Sequence, residues 1–188
     1  MPARPERHVP GEPGFWIVVL GDLAAFTVFF GVFAWYRAQD PAFFAEGQAT
    51  LLRPLGLFNT ILLLTGSLFV VLGVDRARND RPGAPTMLRL GMACGVGFIA
   101  VKAFEYAHEF AQPIDLAANP FFILYFAFTG AHLFHVVLGI GGLAVAQAFA
   151  RRERPSEKIV LIECAASFWH LVDLLWIVLF ALFYLVPS

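Results

Sequence analysis

Charged residues are scarce in this sequence, and cysteines are almost absent. Asp, Glu, Lys and Arg make up 14% of the 188 residues, whereas soluble domains average about 25%. Hydrophobic residues make up 59%, and the mean hydropathy is +0.72. This composition excludes an ordinary soluble domain and predicts an all-α, polytopic membrane protein. The net charge of −1 says nothing about partners by itself, and no nucleic-acid partner is expected.

The residue patterns that would indicate a disulfide framework or a metal centre are also missing. Cys94 and Cys164 both lie in apolar runs and have no metal-type spacing. Helical bundles that hold two metal ions use a Glu-x-x-His motif on two helices. Here Glu105-Tyr106-Ala107-His108 occurs once. The single copy counts against a bound metal ion. The lack of an internal repeat counts against transporter folds that are built from repeats.

Five apolar runs are long enough to cross a bilayer, for which about 20 residues suffice. They predict helices at about residues 15–36, 55–75, 87–109, 120–149 and 163–185. We expect residues 15–188 to form one five-helix transmembrane domain. The polar, Pro/Gly-rich residues 1–14 read as a flexible cytoplasmic tail and not as a secretory signal peptide. Between the first two helices, the stretch AFFAEGQATLL is expected to lie along the membrane interface.

The distribution of basic residues predicts the orientation. Ten of the 13 Lys and Arg residues lie in the tail, between the second helix and the first turn of the third, or between the fourth and fifth helices. Only Arg37 and Arg53 lie on the opposite side, and Lys102 lies within the third helix. By the positive-inside rule, the N-terminus is cytoplasmic and the C-terminus is outside.

The last apolar run, residues 163–185, carries three polar residues: Glu163, His170 and Asp173. A charge near the centre of a bilayer costs at least about 2.5 to 3.5 kcal/mol. Helical spacing places the three residues on one face, where His170 can reach Asp173 at i+3. This run therefore requires partner helices, and we expect the rest of the chain to be organised around it.

The other helices carry further polar residues. Asp22 lies in the first helix, Lys102 and Glu105 lie in the third, and Thr129, His132 and His135 follow at intervals of three in the fourth. We expect the three residues of the fourth helix to share a face, and Lys102 to snorkel partly toward the outer interface.

Three interpretations compete for these residues. His132 and His135, with His170 and Glu105, resemble a metal or haem ligand set. Chains of Asp, Glu and His also mark proton or ion paths. The third interpretation is a buried polar network that joins helices and positions lipids or a partner. The residues alone favour the network over the proton path, and the metal or haem site least.

Motifs in all five helices resemble subunit III of the haem–copper oxidase superfamily. The sequence reads FWIVVLGDLAAFTVFFGVFAWY, NTILLLTGS, GFIAVKAFEY, FFILYFAFTGAHLFHVVLG and FWHLVDLLWIVLF in order along the chain. The last two resemble the family's Thr-Gly-x-His-x-x-His-Val and Trp-His-x-Val-Asp-x-x-Trp motifs, and Glu105 would be the family's buried glutamate.

The resemblance implies a non-catalytic accessory subunit with two helix groups separated by a lipid-filled cleft. Such a subunit packs on and stabilises the catalytic subunit I, binds phospholipids and has been linked to proton uptake. The resemblance, together with the missing second motif, implies no catalytic residue, no cofactor and no metal in this chain. Haem and copper are then expected in the partner, and the expected location is the bacterial cytoplasmic membrane. We expect the first two helices to form the docking face, because the second has no ionisable residue between Arg53 and Asp75.

Two alternatives remain. The five helices and Asp22 resemble the five-helix forms found with bacterial quinol oxidases. The short length, the YRAQDPAFFAEGQATLL loop and the Lys102-Ala-Phe-Glu105-Tyr run resemble more closely the NorE-type proteins, which are associated with nitric oxide reductase. A NorE-type partner would contain haem and non-haem iron. The alternative from another class is a free-standing small proton or ion transporter.

Overall fold

The computed structural model describes residues 13–111, 120–152 and 154–185, which contain six α-helices and no strand. The helices are α1 Pro13–Gln39, α2 Pro41–Thr50, α3 Arg53–Arg78, α4 Ala84–Phe110, α5 Pro120–Ala150 and α6 Ile159–Phe180. A 3₁₀ turn, Pro155–Lys158, precedes α6, and a π-helical stretch, Ala181–Leu185, continues it. All helices except α2 are long and apolar enough to cross a membrane. The predicted all-α protein with five membrane spans is thus confirmed, whereas its orientation stays a prediction.

Several helices begin earlier than the hydropathy pattern predicts. Helix α1 begins at Pro13, so the end of the predicted tail is helical; residues 1–12 of that tail lie outside the described residues. Helix α3 begins at Arg53 with Pro54 in its first turn, a position that suits proline because its missing N–H has no helical acceptor there. Helix α6 begins at Ile159, directly after the 3₁₀ turn.

Helix α6 lies at the centre of the bundle. In the most apolar 18-residue stretch of this span, 56% of the residues are buried, compared with 17% in the corresponding stretch of α1. It packs against α1, α3 and α5, and Trp176 meets Phe98 of α4 edge-to-face at 4.7 Å between ring centroids. The expectation that this run organises the other helices is therefore correct.

Helices α3 and α4 approach each other closely through glycines. A Cβ atom on Gly91 would lie 2.8 Å from Val70 Cγ2 and 3.2 Å from the Gly66 carbonyl oxygen. A Cβ atom on Gly66 would in turn lie 3.0 Å from Cys94 Cβ. Small residues allow such backbone approach in membrane helices, so the Gly91-x-x-x-Gly95 pattern serves helix packing.

Helix α1 contacts the bundle through a narrow aromatic stripe. Its buried residues Val19, Phe26 and Phe33 recur every seven positions. Phe33 packs edge-to-face on Phe183 beyond α6 at 5.0 Å, and Phe26 packs on His135 of α5 at 5.5 Å. Most of the remaining surface of α1 is exposed. The lipid-filled cleft implied by the resemblance stays a prediction.

The segment expected along the membrane interface forms α2, which is attached to the bundle. Phe44 and Gln48 are buried, and Gln48 Nε2 donates a hydrogen bond to the Leu182 carbonyl oxygen at 3.0 Å. Phe44 also packs edge-to-face on Phe121 of α5 at 5.7 Å. These contacts tie the α1–α3 connection to the ends of α5 and α6.

At the opposite, arginine-rich end, Asp80 joins two loops. Its carboxylate accepts hydrogen bonds from the Ser156 hydroxyl at 2.7 Å and from the Ser156 backbone N–H at 3.0 Å. These bonds favour the ionised carboxylate, so the pKa of Asp80 lies below its usual value. The α3–α4 loop is thus connected to the turn before α6.

Candidate functional site

The most deeply buried ionic group is the pair Lys102 and Glu105 on α4. Both side chains are at most 1% exposed, and Lys102 Nζ lies 2.9 Å from Glu105 Oε2. The same ammonium donates to the Tyr125 hydroxyl of α5 at 2.9 Å and to the Tyr184 hydroxyl beyond α6 at 3.0 Å. The cluster of Lys102, Glu105, Tyr125 and Tyr184, here called the lysine cluster, therefore joins the second half of α4 to the beginning of α5 and to the π-helical stretch beyond α6.

The hydrogen bonds within the lysine cluster are complete. A lysine ammonium has three N–H donors, and these match its three oxygen partners. The second oxygen of Glu105 accepts a hydrogen bond from the Tyr184 hydroxyl, which also lies 3.2 Å from the Tyr125 hydroxyl. Because the charges cancel and the donors are used, this arrangement suits a structural tie between helices better than a ligand site.

The expectation that Lys102 snorkels toward the interface is wrong. Its ammonium lies 4.8 Å from the centre of the Tyr125 ring and 5.1 Å from that of Trp176. Cations are attracted to such ring faces, and Glu105 supplies the countercharge. The lysine is therefore held inside the bundle and does not extend to the membrane surface.

His132 is also fully buried, and its hydrogen bond defines its tautomer. His132 Nε2 lies 3.1 Å from the Val172 carbonyl oxygen of α6. Because a carbonyl only accepts, Nε2 carries the hydrogen. Nδ1 has no hydrogen-bond partner within the described ranges. The imidazole thus links α5 to α6, and its ring packs against Phe98 and Trp176.

His135 points to a different helix. Its Nδ1 donates to the Ala131 carbonyl oxygen at 2.8 Å, and its Nε2 faces Asp22 Oδ1 of α1 at 3.5 Å. The predicted common face of Thr129, His132 and His135 is therefore wrong. Three residues turn an α-helix by about 300°, so successive members of such a series drift by about 60°. One histidine faces α6 and the other faces α1.

The polar residues of α6 find partners on α3. Glu163 Oε1 accepts from Arg78 at 2.7 Å, and His170 Nδ1 lies 2.6 Å from the Ser67 hydroxyl. The distance from His170 Nδ1 to Asp173 Oδ2 is 3.6 Å, too long for a hydrogen bond. The predicted approach of His170 to Asp173 is thus observed at ion-pair distance, whereas the hydrogen bond of His170 is made with Ser67. Helix α3, which was expected to form part of the docking face, thus contacts the polar residues of α6 through Ser67 and Arg78.

The eight predicted site residues therefore divide into separate groups. Lys102 and Glu105 share the lysine cluster, His132 lies beside it, Asp22 faces His135, and Glu163, His170 and Asp173 lie along the α3–α6 contact. Across residues 13–111, 120–152 and 154–185, no three His, Cys, Asp or Glu side chains are placed to share a metal ion. Whether the chain lacks a cofactor stays a prediction.

Sequence reasoning missed the residues that complete these groups. Tyr125 and Tyr184 are separated from Lys102 by 23 and 82 positions, and Arg78 is separated from Glu163 by 85. The signal available in the sequence was the tyrosine hydroxyl groups that lie inside apolar runs. A tyrosine that is buried in a membrane helix needs a hydrogen-bond partner. Lys102, a cation within an apolar run, was a partner that the sequence offered.

Known proteins with similar sequences support a single family. The sequence model described as cytochrome c oxidase subunit III matches residues 14–188. The cytochrome c oxidase subunit 3 of Synechocystis sp. is 33% identical over 177 residues, which cover 89% of this chain and 73% of that protein.

More distant relatives have the same subunit in their names. The cytochrome bo(3) ubiquinol oxidase subunit 3 of Pseudomonas aeruginosa is 26% identical over 93% of this chain and 84% of its own length. A heme-copper oxidase subunit I+III of Aeropyrum pernix is 25% identical over 91% of this chain, which corresponds to 22% of that longer protein. With the family match spanning all five membrane helices, the chain belongs to the cytochrome c oxidase subunit III family.

Proposed function

We propose that this chain is the accessory subunit III of a haem–copper oxidase, bound to the catalytic subunit I in a bacterial cytoplasmic membrane. The haem and copper would reside in the partner. In this role the chain stabilises the catalytic subunit and binds phospholipids, and its support of proton uptake is a further expectation of the family resemblance.

The observation that carries this proposal is the completeness of the lysine cluster. Lys102 and Glu105 satisfy each other and two tyrosines in a site that is closed to solvent and lipid. Such a network favours one arrangement of α4, α5 and α6, as expected of a scaffold. A transporter would instead need buried polar groups that exchange partners during its cycle.

Helix α1 is the best-supported part of the docking face. Only 17% of the residues in its most apolar 18-residue stretch are buried, compared with 39% in the corresponding stretch of α3. Large apolar side chains project from it, including Ile17, Val28 and Trp35, which are 74%, 64% and 66% exposed. The structure thus favours α1 over α3, which is packed extensively against α4 and α6.

Purification through a tag on this chain in mild detergent tests the assignment. Mass spectrometry and an optical spectrum identify the co-purified partner. Recovery of a haem–copper subunit I supports the proposal. Recovery of a nitric oxide reductase with haem and non-haem iron would support the NorE-type alternative, and recovery of the chain alone, under conditions that keep respiratory complexes intact, would contradict both.

A photo-crosslinking residue tests the docking face separately. Placed at Val28 of α1, it should capture the catalytic subunit. The matched control is Val137 of α5, which is 53% exposed on another side of the bundle. Equal capture from both positions would contradict docking through α1. Proton transport by the purified chain in liposomes would support the transporter alternative.

A further inference from the structure

A polar contact between α1 and α5 lies inside the membrane-spanning part of the bundle. Asp22 is eight positions, or about 12 Å, beyond the start of the first membrane span at Gly14. Its carboxylate faces His135, and the two side chains are 26% and 16% exposed. The distance from Asp22 Oδ1 to His135 Nε2 is 3.5 Å, longer than the roughly 2.7 to 3.2 Å of a typical N–H···O hydrogen bond. The positions of the hydrogen atoms decide whether this contact is attractive.

The hydrogen bond on the other side of the imidazole determines what Nε2 can do. His135 Nδ1 lies 2.8 Å from the Ala131 carbonyl oxygen, and a carbonyl only accepts, so Nδ1 carries a hydrogen. In a neutral imidazole only one nitrogen carries a hydrogen, and Nε2 is then an acceptor. An ionised Asp22 can also only accept. Without a further proton, two acceptors would therefore face each other across 3.5 Å.

One additional proton turns this contact into an attraction. On Asp22 it gives a carboxylic acid that donates to Nε2, and on His135 it gives an imidazolium that donates to the carboxylate. In either form the pair has no net charge, which suits the interior of a membrane, where an unneutralised charge is costly. We propose that Asp22 and His135 form a proton-binding site, which holds one shared proton and thereby fastens α1 to α5. This inference goes beyond the proposed function, because the site lies entirely within this chain.

The residues around the pair leave it to balance its own charge. The ring of His135 contacts one aromatic side chain from each of three helices, Phe26 of α1, Phe134 of α5 and Phe168 of α6. His132, one turn earlier on α5, donates to a carbonyl of α6. Arg37, the other charged residue of α1, lies 15 positions, or about 22 Å, beyond Asp22. The titratable residues of α6 lie along its contact with α3, namely Glu163, His170 and Asp173. The shared proton therefore supplies the charge that Asp22 needs at this contact.

The protonation of the His135 ring tests the inference directly. The chain is purified with the subunits that it binds and with isotope-labelled histidine, and solid-state nitrogen NMR is recorded at neutral pH. Subtracting the spectrum of His135→Gln isolates the two ring nitrogens. We expect Nδ1 to carry a hydrogen and Nε2 either to carry one or to accept a strong hydrogen bond.

Two results of this measurement would overturn the inference. The first is an Nε2 signal of a free acceptor, which would show that no proton is shared. The second is a hydrogen-bonded Nε2 that persists in Asp22→Leu, which would show that the donor comes from another subunit. Loss of the Nε2 hydrogen bond in Asp22→Leu would support the shared proton.

The pH dependence of thermal stability tests whether the proton fastens α1. Raising the pH removes the proton and leaves two acceptors facing each other. The unfolding equilibrium constant should then rise by about tenfold relative to that of Asp22→Asn, as loss of one hydrogen bond to a charged group would give. The asparagine amide can donate to Nε2 without a titratable proton. Asp75→Asn removes an exposed carboxylate of α3 and is the matched control, which should behave like the unmodified chain.

A third variant separates the hydrogen bond from the charge. Asp22→Leu has neither a proton nor a donor at this position, so it should be less stable than Asp22→Asn at every pH. If Asp22→Leu fails to fold, the comparison of the unmodified chain with Asp22→Asn still decides. The same pH dependence in these two proteins would overturn the inference.

Discussion

Replacing Lys102 by Met should destabilise the protein more than any other single charge removal. The substitution keeps most of the side-chain volume but removes the ammonium and its three hydrogen bonds. Glu105 then remains buried with Tyr184 as a donor and without a countercharge. Breaking a buried ion pair from one side costs about 3 to 5 kcal/mol. For a chain of this length, that corresponds to a melting temperature lower by roughly 6 to 20 °C.

The double variant Lys102→Met/Glu105→Met tests whether this cost comes from the stranded charge. With both ions replaced by apolar side chains, no buried charge remains, and such replacements are often neutral or stabilising. Tyr125 and Tyr184 can retain their mutual hydrogen bond. The double variant should therefore be more stable than Lys102→Met alone.

Thermal unfolding of the purified complex, followed through retention of this subunit, measures both effects. Lys158→Met is the matched control, because it removes the chain's other lysine from an exposed position in the turn before α6. It should change the stability by less than about 0.5 kcal/mol. The account of the lysine cluster would be refuted if Lys102→Met were as stable as this control. It would also be refuted if the double variant lost as much stability as Lys102→Met and Glu105→Met lose together as single variants.

Three further predictions test other contacts. Ser67→Ala should cost about 1 kcal/mol in thermal stability and more than Asp173→Asn, because the serine and not the aspartate hydrogen-bonds the histidine of α6; the reverse order would contradict this pairing. Gly66→Leu should separate α3 from α4 and cost about 1 to 3 kcal/mol, and unchanged stability would contradict close packing. The lowered pKa of Asp80 means that its bonds to Ser156 stabilise the loops above its unfolded pKa and are lost as the pH falls through the folded value. The protection of the Ser156 amide, measured as its exchange rate relative to the intrinsic rate at the same pH, should therefore decrease in acid, and Asp80→Asn should abolish that change in protection.

The membrane spans were predictable because length and apolar content alone indicate them. The central position of α6 was predictable as well, since three polar residues in an apolar run must be covered by other helices. The first residues of the helices were predicted less accurately. Charged residues such as Glu157 and Lys158 lower the local hydropathy, so the pattern does not indicate the turn that leads into α6. These properties depend on local sequence, which explains the agreement.

The pairing of polar side chains was not predictable from local sequence. The direction of His132 and His135 depends on how α5 is rotated within the bundle, and a drift of about 60° per three residues suffices to send them to different helices. The partners of Lys102 and Glu163 lie on other helices, at sequence separations up to 85. Only the packed structure brings these residues together.

Turnover per haem in a complex that carries Glu105→Gln tests most directly whether the chain acts as a structural accessory subunit. The substitution removes the negative charge that pairs with Lys102 and nearly preserves the shape of the side chain. The account predicts a lower yield or thermal stability of the complex, with turnover per haem in the assembled fraction within about twofold of the unmodified enzyme. Normal assembly with turnover reduced by about tenfold or more, equivalent to about 1.4 kcal/mol in the activation barrier, would contradict it and support a proton path through this subunit.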